Sequence, residues 1–219
     1  MFNSVHGEFA SFWLAAGDSS GLPRKADIDP SSFPPRILPH LALWDVVTHF
    51  PDAVASAEKA DDDAGVGDSD AGEFVSPDGS LPDIPVIRVR LRLAGGVLRD
   101  FAQRILAGLF LDEFLLDSDV RQHNIGVFRT VLDSRCAVGS SVSVSLDTIG
   151  ITTTLTRLFC PLIGKDGEVS MVLSAHTVNS THAISSMPSY FNFDRFEDHG
   201  NIVFSHEELQ RLIPTWMER

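Results

Sequence analysis

Cysteine is nearly missing from this chain: its 219 residues hold only Cys136 and Cys160. Two thiols so far apart cannot build a disulfide framework, and they fit reduced, inert packing side chains. No basic residue precedes Arg24, so the amino-terminal segment lacks the positive region of a secretory signal. The apolar run at residues 9–16 is too short to cross a bilayer, and arginines interrupt every longer one. The expected compartment is therefore the cytoplasm, with no membrane contact. Glycine-rich phosphate loops are also missing, since Gly95-Gly96 has neither a Walker lysine nor a dinucleotide pattern. Positive charge is scarce: the formal net charge of −13 opposes nucleic acid backbones and anionic membrane surfaces.

What is present is uneven. Between Asp52 and Asp83 there are ten acidic residues against Lys59 alone, so one segment carries most of the net charge. Residues 51–84 are rich in Ala, Asp, Gly and Ser and cannot bury enough apolar surface to offset their ordering entropy. They read as a disordered acidic insertion, either a tolerated solvated loop or an interaction segment. Outside it, a composition of 43% hydrophobic residues supports one main core.

Periodicity places the elements. Phe9, Phe12, Trp13 and Ala16 recur at helical spacing, and Gly17 offers a stop. Pro34, Pro35 and Pro39 restrict the next stretch, so residues 1–39 are a helix with a proline-rich lead-in. A strand is expected at 41–47. Residues 86–93 alternate, with Ile87, Val89, Leu91 and Leu93 on one face and Arg88, Arg90 and Arg92 on the other. That arginine row is either a stripe for an anionic partner or a guard against edge pairing. Short helices follow over 98–116, then a longer helix from Asp117 bearing Val120, Val127, Phe128 and Val131 on one face.

Three strands come next, at 142–148, 151–163 and 169–178, joined by turns at Ile149-Gly150 and Gly164-Lys-Asp-Gly167 into an antiparallel meander. The fold class is thus α+β. Residues 179–204 hold five aromatics without period and read as an extended segment laid on the domain. Ser205-His-Glu-Glu208 is a capping box, Leu209, Leu212, Ile213 and Trp216 form a stripe, and Pro214 is expected to end or kink that helix. The division is 1–39, a domain at 40–178, and a C-terminal extension at 179–219.

Phe12-Trp-Leu14, Leu22-Pro-Arg-Lys-Ala-Asp-Ile-Asp-Pro30 and Ile37-Leu-Pro-His-Leu-Ala-Leu-Trp-Asp-Val46 resemble a family of small bacterial PAS proteins common in alphaproteobacteria. Arg88-Val-Arg-Leu-Arg-Leu-Ala-Gly95 looks like that family's second strand, which ends in a glycine. The likeness covers roughly residues 9–178 outside the acidic insertion. It departs at Phe101-Ala-Gln-Arg-Ile-Leu-Ala-Gly108, which lacks the Asp and Thr of the family's aromatic-Gly-basic-Asp-Leu-Thr-Gly stretch. The resemblance implies a PAS-like five-stranded antiparallel sheet curled around short helices and one longer helix, enclosing a small pocket.

It also implies a stand-alone sensory protein in signal transduction, acting through a regulatory protein partner, with a small-molecule ligand and a homodimer as further expectations. Expected pocket residues are Val89, Leu91, Phe114, Val127, Phe128, Val131, Val144, Leu155 and Leu173. Expected partner contacts are Phe9, Phe12, Trp13, Leu209, Leu212 and Trp216. A ligand-free dimerisation or adaptor module is the alternative. A small isomerase- or hydratase-like enzyme of a cone-shaped fold is a third reading, and it would need an inward carboxylate.

His123 on the long helix is the sole haem-ligand position of note, but a lone helical histidine fits a surface or capped-core role better. No Asn-Cys-Arg motif precedes that helix for a flavin adduct. His176 and His182 lack a neighbouring carboxylate at ligand spacing. Ser140-Ser141 lack a nucleophile elbow, and Asp45 beside His40 is no visible dyad. Neither a cofactor, a metal nor a catalytic residue is expected, and the protein reads as non-enzymatic.

Overall fold

The alternating segments of the sequence become one antiparallel sheet, and the helices divide between its two faces. The structure is a computed structural model that describes residues 1–17, 21–29, 32–49, 86–102, 105–180 and 193–219. The acidic insertion at 51–84 lies outside the described residues, as do Pro30, His182, Tyr190 and Phe191.

The strands are β1 (Leu41–His49), β2 (Val86–Ala94), β3 (Ala137–Leu146), β4 (Ile151–Ile163), β5 (Val169–Ser180) and β6 (Arg195–Phe204). Their spatial order is β2-β1-β5-β4-β3-β6, and every pairing is antiparallel. The expected hairpins and meander are there, and β5 returns beside β1. The count corrects the sequence reading: the described residues form a sheet of six strands, not five. The sixth comes from the expected extension, where Arg195-Phe-Glu-Asp-His-Gly-Asn-Ile-Val-Phe204 has no apolar alternation because nearly all of it is exposed. Backbone pairing with β3 places it there, a signal that hydropathy does not carry.

Among the described residues there are five α-helices: α1 (Ser4–Ala16), α2 (Gly96–Ala102), α3 (Leu111–Phe114), α4 (Ser118–Ser134) and α5 (His206–Met217). Asn3 caps α1 by accepting from Val5 N at 3.2 Å, and Asp117 caps α4 by accepting from Asp119 N and Val120 N, both at 3.0 Å. The capping box at Ser205 forms as expected, with Ser205 N donating to Glu208 at 2.9 Å and Glu208 N to Ser205 Oγ at 3.2 Å. Pro214 does not end α5, which runs on to Met217. Trp216, two residues beyond the proline, is buried, and its packing holds the last turn in place.

α2, α3 and α4 cover one face of the sheet, and their core contains Val89, Leu91, Phe101, Phe114, Val127, Phe128, Val131, Val144, Leu155 and Phe159. α1 and α5 cover the other, packing Phe9, Trp13, Leu209 and Trp216 against Leu158, Leu162, Met171 and Leu173. Each large apolar side chain so buried stabilises by about 1.5–3 kcal/mol relative to exposure. α1 is tied to the back of β4 by Trp13 Nε1–H donating to Pro161 O at 3.0 Å and His6 Nε2–H donating to Thr156 O at 3.3 Å. Among the described residues no helix is long and apolar enough to cross a membrane.

Gly95 has a reason to follow β2. A Cβ there would meet the backbone carbonyls of Leu38 at 2.6 Å and of Pro39 closer still, while its own N–H donates to Leu41 O at 2.7 Å. Only a residue without a side chain lets the turn into α2 lie against the lead-in.

Candidate functional site

Both faces of β4 are buried, so its two-residue period shows what each layer demands. Leu155, Arg157 and Phe159 point toward α2–α4. Arg157 is 2% exposed, an unusual fate for a guanidinium. It sits directly opposite His176 on β5, also 2% exposed.

Neutral dipoles surround the cation. Its Nη1 donates to Asn124 Oδ1 at 2.5 Å, and its Nη2 donates to Ser140 Oγ at 2.8 Å and to His123 Nε2 at 2.8 Å. Asn124 is held by its own donation to Val120 O at 2.7 Å. A guanidinium can only donate, so His123 Nε2 offers its lone pair and Nδ1 carries the proton. Nδ1–H lies 2.9 Å from Asp198 Oδ2 on β6. Burial, then the charge of Arg157, hold the His123 pKa below its ordinary value against the opposing pull of Asp198. Both ring nitrogens are engaged, which leaves neither for an axial bond to haem iron in this arrangement.

The second polar group is built on β5. Trp44 Nε1–H donates to Ser174 Oγ at 2.8 Å. The Ser174 hydroxyl has one proton and two acceptors within reach: His176 Nε2 at 2.8 Å and Ala42 O at 3.4 Å. The Ser174–His176 contact fits two directions: Ser174 donating to Nε2 puts the ring proton on Nδ1, and Nε2–H donating to Ser174 leaves the hydroxyl proton for Ala42 O. Burial, reinforced by the Arg157 charge, holds the His176 pKa well below its ordinary value, so the ring is neutral. Two buried atoms here have no hydrogen-bond partner: Arg157 Nε and His176 Nδ1. Leaving such polar atoms unmatched costs about 1–3 kcal/mol each, and more where the group is charged.

Arg157, His176 and Asn124 line the same cavity, whose walls are otherwise apolar: Trp44, Leu98, Phe101, Ala102, Leu106, Leu111, Phe114, Leu115, Leu155 and Phe159. Its space for water-molecule centres is about 30 Å³, room for roughly two waters. A larger depression of about 390 Å³ lies on the opposite face between Ile28, Phe33, Leu43, Leu93 and Leu173, rimmed by Lys25 and Arg92. The small cavity is the better site because buried polar atoms without partners belong to its lining, whereas the larger one is lined by apolar side chains with Lys25 and Arg92 at its rim.

Of the expected pocket residues, Phe114 and Leu155 line the cavity. Val89, Leu91, Val127, Phe128, Val131 and Val144 lie in the core around it. Leu173 faces α1 and the lead-in instead, a correction with a clear cause. A register shift between Leu162 and Ile163 separates Val169 from the apolar row Met171, Leu173 and Ala175, and β5 turns its polar residues Ser174 and His176 toward the cavity. Apolarity alone could not separate the faces, because helices cover both.

Of the expected partner contacts, Phe9, Trp13, Leu209 and Trp216 are buried in the protein's own α1–α5 layer. Phe12 rests on Phe33 at 3.9 Å between centroids, and Leu212 is partly buried on the same cluster. The arginine row of β2 is largely engaged internally. Arg90 and Arg92 converge on Asp45 at 2.8 and 3.1 Å, and Arg88 pairs with Asp112 at 2.9 Å. Partial burial pushes the Asp45 carboxyl up, but the two arginines outweigh it and hold it below the usual carboxylate range. His40 does not meet Asp45; its Nδ1 bonds His176 O at 2.8 Å.

Burial raises the Cys160 thiol well above its ordinary pKa, in keeping with an inert packing role. Among the described residues no three His, Cys, Asp or Glu side chains gather as a metal site. The sequence reading missed Arg157, Asn124, Ser174 and Trp44. The signal for the first was an arginine two residues from Leu155 and two from Phe159, on the inward face of an apolar strand. Comparisons with protein-family models, curated proteins and solved structures return no match.

Proposed function

We propose that this chain is a PAS-type regulatory protein that binds a small molecule between its sheet and α2–α4 and signals through a protein partner. The observation that carries this reading is the cavity itself, an apolar chamber lined from the paired strands β4 and β5 by two residues that each keep a polar atom without a partner. Such a chamber with few convergent polar groups is the common form of a small-molecule site. The succession of two strands, short helices, one longer helix and a meander, with β5 returning beside β1, supports the PAS assignment. So do the amino-terminal motifs, and β6 with α5 is an elaboration of that plan. The polar groups of the lining are suited to holding a ligand, with no carboxylate among them, which favours binding over acid–base catalysis.

The small volume of the cavity favours one second reading, a ligand-free dimerisation or adaptor module whose pocket has closed into core. Native mass spectrometry of protein purified from its own host, with an absorption spectrum of the same sample, separates the two. A bound mass supports ligand sensing; a clean apo protein, monomeric or dimeric, supports the adaptor.

A further inference from the structure

We propose that the cavity holds the carboxylate of a short monocarboxylic acid, one oxygen on Arg157 Nε–H and the other on His176 Nδ1–H, with its hydrocarbon against Trp44, Phe101, Phe114 and Phe159. The inference rests on reading the cavity as a ligand site and adds the chemical class of the ligand.

Charge is the first argument. Arg157 is a buried cation, and no carboxylate among the described residues forms an ion pair with it; the acid nearest in the network, Asp198, is reached only through neutral His123. A buried charge solvated by neutral dipoles alone is poorly compensated, and an incoming anion completes it. Geometry is the second argument. Arg157 and His176 are directly paired across β4 and β5, so their side chains leave the sheet side by side on one face. The serine and asparagine contacts use Nη1 and Nη2 and leave Nε–H, while the Trp44–Ser174–His176 chain, with Ser174 donating to Nε2, leaves Nδ1–H. Two adjacent donors match the two oxygens of one planar carboxylate.

Size and walls are the third argument. Room for about two waters admits a carboxylate and little beyond it, and the aromatic and aliphatic lining suits a short hydrocarbon rather than a polar chain.

The test uses the full chain in chloride buffer at constant ionic strength, titrated with sodium propionate and separately with propionamide, its neutral isostere. Propionate is expected to raise Tm and to give nuclear Overhauser contacts from its methyl group to the Trp44 and Phe159 rings. Propionamide is expected to bind roughly ten- to a hundredfold more weakly, the loss of hydrogen bonds to a charged partner. His176→Phe is expected to weaken propionate while leaving the chain folded, and Arg157→Gln to abolish the preference for the anion. The amide comparison needs no variant, so the test survives if Arg157→Gln does not fold. Equal binding of propionate and propionamide, or a neutral molecule carried from the host, overturns the carboxylate and leaves the ligand site standing. Binding of neither probe, with nothing carried from the host, overturns both; two trapped waters would then satisfy the donors.

Discussion

Arg157 concentrates the energetics of the inner layer because a buried guanidinium tolerates few losses among its partners. Asn124→Ala strips Nη1 of its acceptor and is expected to cost about 1.5–3 kcal/mol in urea unfolding, the range for hydrogen bonds to charged groups. Histidines at the same scale set the response to acid. Burial lowers the His6 pKa from 6.5 to about 4, and His123 and His176 are lowered as well. For a histidine whose folded pKa is depressed, the unfolded chain binds the proton more readily. Stability is therefore complete above pH 6.5 and falls as pH drops from 6.5 toward 4. His6 alone accounts for about 3 kcal/mol of that loss. Tm measured across this window is expected to fall steeply, and His6→Gln to flatten part of the slope; an unchanged slope would mean that His6 is protonated in the fold.

Elements differ in how openly the chain announces them. β2 and β4 were legible because Val89 and Leu91, or Leu155 and Phe159, alternate with residues of other character. α4 was legible from its Asp117 cap and the stripe through Val127 and Val131. β6 was not, since an edge strand exposed along most of its length has no apolar row and depends on backbone pairing with β3. The site was half legible: Phe114 and Leu155 follow from periodicity, whereas Arg157 and His176 are polar residues at inward positions that an apolar search passes over. Proline in α5 is a case of packing overriding propensity. Pro214 is exposed on a helix whose Leu209 and Trp216 are buried. Pro214→Ala is thus expected to stabilise the protein by about 1 kcal/mol or more, read as a rise in Tm without change in oligomeric state.

At the scale of the whole molecule, the sheet is a shared wall between two apolar layers, and β4 is buried from both sides. Damage to one layer should therefore be felt in the other. Leu209→Ala, at a fully buried position, is expected to cost about 2–5 kcal/mol. Its unfolding followed by tryptophan fluorescence and by far-ultraviolet circular dichroism should remain one coincident transition. Separate transitions would show that α1 and α5 melt as an independent layer. The packing of α1 against α5 also has a consequence for synthesis. Residues 4–16 leave the ribosome well before residues 206–217, and until the latter emerge, Phe9, Trp13, Leu162 and Met171 lack part of their cover. Over that interval the uncovered apolar face of the nascent chain is expected to attract a holding chaperone.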